Sequence, residues 1–304
     1  MKIAITGVTG FVGQNLENHL TNYNVLGVSR ESKGGNISYR ELSLDIFNKQ
    51  EVFIHLAGKA HDLNKTSKAS AYFQVNTELT KKLFDQFLKS DCKTFIYMSS
   101  VKASADVVEG ILTEESLPNP ITIYGNSKLA AEKYLLKQKL PTNKRIYILR
   151  PCMIHGPNNK GNLNLLYSFV SKGIPYPFGS YQNKRSFVSI DNLCFIIKEL
   201  IENSKIPSGV YNIADDSTLS TRELVQIIGN ITRKPVKLMN ISKTIINFIA
   251  KIGDIFPIPI NSKRLQKLTE NYVVSNLKIK KAIQKELPFS AREGIEKTFR
   301  SFGR

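Results

Sequence analysis

Cysteine is scarce in this chain of 304 residues: Cys92, Cys152 and Cys194 are odd in number, far apart and form no CxxC pair. That pattern argues against both a disulfide framework and a zinc site, and a reducing, cytoplasmic setting is expected. Long apolar runs are also missing. The most apolar later stretch, residues 244–260, is broken by Lys251, Asp254 and Pro257, which speaks against a membrane span. An apolar strand starts at Lys2 with no charged leader before it, so no signal peptide is expected. Carboxylates are few, with 25 Asp and Glu against 43 Lys and Arg and a formal charge of +18. The cations are dispersed and never reach a run of five, so no nucleic-acid partner is expected. Such a field would instead collect phosphorylated small molecules or hold the chain near an anionic membrane surface.

What is present is an ordinary globular composition, 41% hydrophobic and 22% charged, in a length suited to one or two domains. In the first half, short β-rich runs at residues 2–6, 24–29, 51–56, 94–98 and 145–149 alternate with helical patterns at 11–20, 67–88 and 124–138. This alternation predicts a parallel sheet flanked by helices. After Arg150-Pro151 the pattern changes to loops rich in Gly, Pro and Asn, then short helices at 221–229 and 242–252. The segment 242–253 is amphipathic and basic. An ordinary packed helix is the plainer reading of it, and peripheral membrane contact the alternative.

Gly7, Gly10 and Gly13 directly follow the first strand and open a helix. Glycines at this spacing allow a tight turn and close backbone approach, while the amides of the helix start attract a diphosphate. Gly7, Thr9, Gly10, Phe11, Val12 and Gly13 are therefore candidate cofactor contacts. The second strand ends at Ser29-Arg30, where an acidic residue would read the ribose of NAD. A guanidinium there suits a 2′-phosphate, so NADP(H) is the expected cofactor, with NAD(H) as the alternative. Tyr124 and Lys128, four residues apart on one helix face, and Ser100 at the end of an earlier strand form a proton-exchanging set. By this argument the ammonium lowers the phenol pKa.

With these residues placed, the chain resembles the extended short-chain dehydrogenase/reductases, specifically the NAD-dependent epimerase/dehydratase family that acts on nucleotide sugars. The resemblance rests on Gly7 to Gly13, Leu44-Asp45-Ile46, His55-Leu56-Ala57-Gly58, Asn76, the Ser100/Tyr124/Lys128 trio and Arg150-Pro151 to His155-Gly156-Pro157. It implies an α/β fold, a Rossmann-type doubly wound parallel sheet with a smaller α/β substrate-binding domain. The dinucleotide-binding part would comprise residues 1–150 plus about 182–212, and the nucleotide-sugar part about 151–181 plus 213–304. Asp45 and Ile46 would hold the adenine, and Leu56, Ala57 and Gly58 would pass the cofactor phosphates and ribose. Asn76 and Pro151 join the cofactor set, and Lys128 would also bind the nicotinamide ribose. Lys102, Asn162, Arg185 and Arg264 are assigned to a UDP-sugar substrate, and a homodimer through the helices 67–88 and 124–138 is expected.

The chain departs from the family at Val101-Lys102, where 4,6-dehydratases carry Asp-Glu, and dehydration is disfavoured accordingly. It also has Met153 where many members have Asn, and Ala103-Ser104-Ala105 in place of Val-Tyr-Gly. His55 and His155 read as packing residues, since no third metal-type residue lies at suitable spacing. The leading expectation is a reductase of C4 in a UDP-4-keto-6-deoxy-N-acetylhexosamine for surface-polysaccharide synthesis. A UDP-hexose or N-acetylhexosamine 4-epimerase is the alternative, and a non-catalytic dinucleotide sensor or nucleic-acid binder the second.

Overall fold

The computed structural model describes residues 1–59, 68–159, 161–256 and 261–303. The chain begins with β1 (Lys2–Thr6), α1 (Phe11–His19), β2 (Asn24–Ser29), β3 (Ile37–Ser38), α2 (Leu44–Asn48) and β4 (Val52–His55). Next come α3 (Ala69–Phe73), a π-helical turn over Gln74–Glu78, α4 (Leu79–Lys89), β5 (Thr94–Met98) and a 3-10 turn, Val101–Ala103. The middle of the chain forms β6 (Ile111–Leu112), α5 (Ile123–Lys137), β7 (Arg145–Pro151), β8 (Met153–His155), α6 (Asn162–Ser171), β9 (Phe187–Ser189) and α7 (Ile190–Glu202). The last third holds β10 (Gly209–Ile213), α8 (Thr221–Thr232), α9 (Lys243–Ile255), α10 (Ser262–Thr269), β11 (Val273–Val274), α11 (Leu277–Ile283) and α12 (Ala291–Phe302).

Seven strands pair in the order β10-β7-β5-β4-β1-β2-β3, every pair parallel. This is the expected doubly wound Rossmann-type sheet. Its connections reverse direction between β1 and β4, and that reversal opens a crevice at the carboxyl ends of the strands. Side chains alternate between two cores, because successive strand residues point to opposite faces. Ile3, Ile5, Val52, Ile54, Ile96, Met98, Tyr147 and Leu149 meet α1, α7 and α11 on one side. Ala4, Phe53, Phe95, Tyr97, Ile146 and Ile148 meet α2, α4 and α5 on the other. With both faces covered, each strand reads as a nearly continuous apolar run.

The helix expected at 67–88 departs from regularity. Ser67 lies outside the described residues, and α3 and α4 are joined through the π turn. There the Asn76 carbonyl accepts hydrogen bonds from Thr80 Oγ1 at 2.8 Å and Tyr97 Oη at 3.3 Å, partners from outside the regular helical ladder. The strand expected at 145–149 runs on to Pro151, carrying it to the crevice.

A second layer packs α6, α8 and α12 around Leu163, Phe187, Leu224, Ile228 and Phe299. Both α8 and α12 start with a capping box, Ser220 with Glu223 and Ser290 with Glu293, which satisfies their first amides. The two-residue strands β6 and β11 pair across 162 positions of sequence. Among the described residues, no helix is long and apolar enough to cross a membrane.

Candidate active site

The turn after β1 is built on close backbone approach. Gly7 has φ of +71°, and a Cβ on it would stand 2.8 Å from the Ala57 amide nitrogen. A Cβ on Gly13 would stand 2.3 Å from the Gly7 carbonyl oxygen. Larger residues would push α1 away from β1 and from the segment after β4. Gly10 is the N-cap of α1 and makes no side-chain cap, so among the described residues the amides of its first turn have no built-in acceptor. Thr9 and Gly10 are exposed there, while Phe11 and Val12 are half-buried. The donor set and the glycine cradle fit a dinucleotide diphosphate.

At the end of β2, Arg30 is exposed and Ser29 Oγ donates to the Glu31 carbonyl at 2.5 Å. Tyr39 lies beside them, its phenol near Thr6 and the Gly7 backbone. Burial raises its phenol pKa, and those two contacts together with the nearby Arg30 charge oppose the rise. Asp45 is exposed in the first turn of α2, next to half-buried Ile46.

The crevice floor carries Ser100, Tyr124 and Lys128. A cleft with about 220 Å³ of free space is bounded by Ser100, Tyr124, Lys128, Gly58, Pro151 and Cys152, among others. Ser100 ends the segment after β5, and its Oγ accepts from the Lys102 amide at 3.2 Å. Thr122 caps α5, its Oγ1 accepting from the Gly125 amide at 3.1 Å, which places Tyr124 in the first turn and Lys128 one turn later. Ser100 and Tyr124 line the same cleft, with the Ser100 hydroxyl acting on the Tyr124 phenol. Lys128 is buried; its Nζ donates to the Met98 carbonyl at 2.8 Å and lies 4.9 Å from the centre of the Tyr97 ring.

The electrostatics differ in one respect from the sequence argument. Burial raises the Tyr124 phenol above its ordinary value, and the Ser100 contact, rather than the ammonium, is what opposes it. Lys128 itself is pushed down to about 8 by burial, with the Glu132 carboxylate opposing that shift.

Beneath the set is a cluster that needs the folded sheet to assemble. Glu132, four residues beyond Lys128, receives Arg150 Nε at 3.0 Å and Arg150 Nη2 at 2.5 Å, and also accepts from the Ser99 hydroxyl. This buried fork ties α5 to the ends of β5 and β7, the two strands that deliver Ser100 and Pro151. The only sequence signal was the four-residue spacing of Tyr124, Lys128 and Glu132 on one helix face. His55 bridges Thr6 Oγ1 at 2.7 Å and Thr80 Oγ1 at 3.0 Å. Burial and the Lys128 charge push its imidazole down to about 3, so it stays neutral and structural. Asn76 donates to Ser127 Oγ at 2.9 Å and accepts from the Lys59 amide at 2.7 Å. A Cβ on Gly58 would stand 3.0 Å from Lys128 Nζ and 3.2 Å from Asn76 Oδ1, so only glycine leaves that corner open.

The four substrate candidates are arranged less tightly. Lys102 Nζ donates to the Asp106 carbonyl at 3.0 Å and sits 4.2 Å from the centre of the Tyr272 ring. Arg185 bridges to Tyr272 through its backbone and donates from Nη1 to the Lys267 carbonyl at 3.0 Å. Tyr272 Oη donates to the Ala105 carbonyl at 2.6 Å, which brings the Lys102 loop and Arg185 to one wall. Asn162 opens α6 and Arg264 lies in the first turn of α10, both exposed.

The model of the NAD dependent epimerase/dehydratase family matches residues 3–214. The chain is 31% identical to a UDP-glucose 4-epimerase of Vibrio cholerae, over 99% of this chain and 95% of that protein. It is 27% identical to the N-acetyl-alpha-D-glucosaminyl-diphospho-ditrans,octacis-undecaprenol 4-epimerase of Escherichia coli O157:H7, over 92% of this chain and 84% of that protein. A GDP-6-deoxy-D-mannose reductase of Pseudomonas aeruginosa is 25% identical over 78% of this chain and 82% of its own length.

Proposed function

We propose, on the premise that this chain belongs to the NAD dependent epimerase/dehydratase family, that it is a 4-epimerase of a diphosphate-linked hexose or N-acetylhexosamine. The observation that carries the chemistry is the cleft that holds Ser100, Tyr124 and the buried Lys128 ammonium together. Epimerisation is placed before C4 reduction because two relatives aligned over nearly the whole chain are named as 4-epimerases. This order reverses the expectation from sequence. Reduction with NADPH stands as the second reading, favoured by exposed Arg30 at the end of β2 where NAD-reading carboxylates sit.

In either case the Gly7–Gly13 turn and the start of α1 would take the cofactor diphosphate, with Arg30, Asp45 and Ile46 at the adenosine end. Leu56 to Gly58, Asn76, Lys128 and Pro151 would border the ribose and nicotinamide end. A nicotinamide bound there supplies reversible hydride transfer at the sugar C4. Tyr124 Oη takes the C4 hydroxyl proton as that carbon is oxidised and returns it on reduction. Ser100 Oγ would hydrogen-bond the same oxygen, and its contact with Tyr124 favours the phenolate. Lys102 and Arg185 would hold the diphosphate of the substrate, with Asn162 and Arg264 at its distal end.

Incubation with UDP-glucose and, separately, UDP-N-acetylglucosamine tests the reading. We expect a mixture of C4 epimers by NMR with no added reductant. Stoichiometric oxidation of 4-deuterated NADPH by a UDP-4-keto-6-deoxy-N-acetylhexosamine, one deuterium retained on C4, and no interconversion of the simple sugars would replace epimerisation with reduction.

A further inference from the structure

The helix α9 carries more apolar surface than its own domain uses. Ser242 caps it, its Oγ accepting from the Thr244 amide. Ile246 and Ala250 are buried against Leu265 of α10, with Phe178, Tyr181 and Ile241 around them. The Asp254 carboxylate accepts from the Ser262 amide at 3.0 Å and the Ser262 hydroxyl at 2.6 Å, which fastens α9 to α10 as a hairpin. Those contacts occupy one face. A second face, Lys243, Asn247 and Lys251, is polar. On the third, Ile245, Phe248, Ile249 and Ile252 recur at helical spacing and Ile255 continues them, all exposed, with Phe248 at 65% and Ile255 at 81%.

The charge around this stripe has one sign. Lys251 stands three residues from Phe248 and four from Ile255, so its stem lies along the apolar surface while its ammonium reaches outward. Lys263, Arg264 and Lys267 on α10 add cations, and Asp254, the one carboxylate of the two helices, is engaged by Ser262. An exposed apolar stripe flanked by cations matches the boundary of an anionic bilayer, where acyl chains meet negatively charged headgroups. A second copy of the chain would bring cation against cation at the same place.

We propose that the α9–α10 hairpin docks the protein on anionic membrane surfaces, with Ile245, Phe248, Ile249 and Ile252 entering the headgroup and acyl boundary. The hairpin adjoins the candidate substrate wall, since the Lys267 carbonyl of α10 accepts from Arg185.

Co-sedimentation of the full chain with vesicles tests this. Retention is expected on vesicles of phosphatidylcholine and phosphatidylglycerol in equal parts, little on phosphatidylcholine alone, and less as salt rises. Joint Phe248→Ser and Ile252→Ser substitution should weaken retention about tenfold or more, with the thermal midpoint and turnover of a water-soluble UDP-sugar unchanged. Joint Lys243→Glu and Lys251→Glu substitution, which leaves the stripe intact, should weaken it about tenfold as well. Equal retention on phosphatidylcholine alone, retention untouched by both variants, or no retention by a wild-type dimer that the Ser variant converts to monomer would each overturn the proposal.

Discussion

The sheet core and the α9–α10 hairpin handle apolar side chains in opposite ways. Around the sheet, Phe95 stacks on Phe53 at 5.7 Å between ring centroids, meets Phe84 edge-on at 5.2 Å and lies tilted against Phe87 at 5.3 Å, all four rings fully buried. In the hairpin, three buried residues hold two helices while six large apolar side chains from Ile245 to Phe256 stay exposed. One region spends its hydrophobic surface on rigidity, as the proposed site of Ser100, Tyr124 and Lys128 would require. The other keeps that surface available at its exterior.

The contrast can be sharpened most strongly at the site itself. Tyr124→Phe should lower turnover about a hundred- to ten-thousand-fold while leaving cofactor binding and the thermal midpoint near those of the parent, because only a transferable proton is lost. Single-turnover rates and cofactor titration check this, and a loss below about threefold would remove Tyr124 from the proton path.

Next in size is the packing difference. Phe95→Ala should cost about 3–5 kcal/mol in urea unfolding, since the surrounding rings cannot close the cavity. Leu265→Ala in the hairpin should cost about 2 kcal/mol or less, as a small cluster relaxes around the gap. Equal costs would mean that the two regions are packed alike.

The smallest effect is electrostatic. Lys128 has a folded-state value of about 8 against the ordinary lysine value of 10.5. Between those values the unfolded lysine holds a proton that the folded one has released, so stability rises with pH across the window. Below it, the penalty for burying the ammonium is constant. Lys128→Met should therefore flatten the rise in unfolding free energy between about pH 8 and pH 10, measured against the parent. An unchanged slope would show that the ammonium is not held in a desolvated place.

Much of the sheet was legible because its strands, buried on both faces, stand out as short β-branched and aromatic runs. The glycine turn was legible for a steric reason, as Gly7 and Gly13 have no room for a Cβ. The trio was legible from helical spacing and strand-end position. Features formed by long-range contact were not. The Glu132–Arg150–Ser99 fork joins one helix to two strand ends, and Tyr39, just after a strand of two residues, comes to lie beside Thr6 and Gly7. Amphipathic period showed that residues 242–252 form a helix, but only packing reveals that its apolar side chains divide between a buried and an exposed face.

The π turn at Gln74–Glu78 makes this part of the chain sensitive to length in a way that substitution would not reveal. Each residue advances an α-helix by about 100°, and a π turn holds one residue more than the helix around it needs. That surplus lets Asn76 and Thr77 face α5, where they bond to Ser127, while Thr80 meets His55 and Leu83, Phe84 and Phe87 enter the sheet core. Losing a single codon here would turn the rest of α4 by about a quarter revolution and withdraw those rings from the core. An insertion or deletion in this stretch would therefore disturb every contact beyond it at once, where a substitution would disturb only its own.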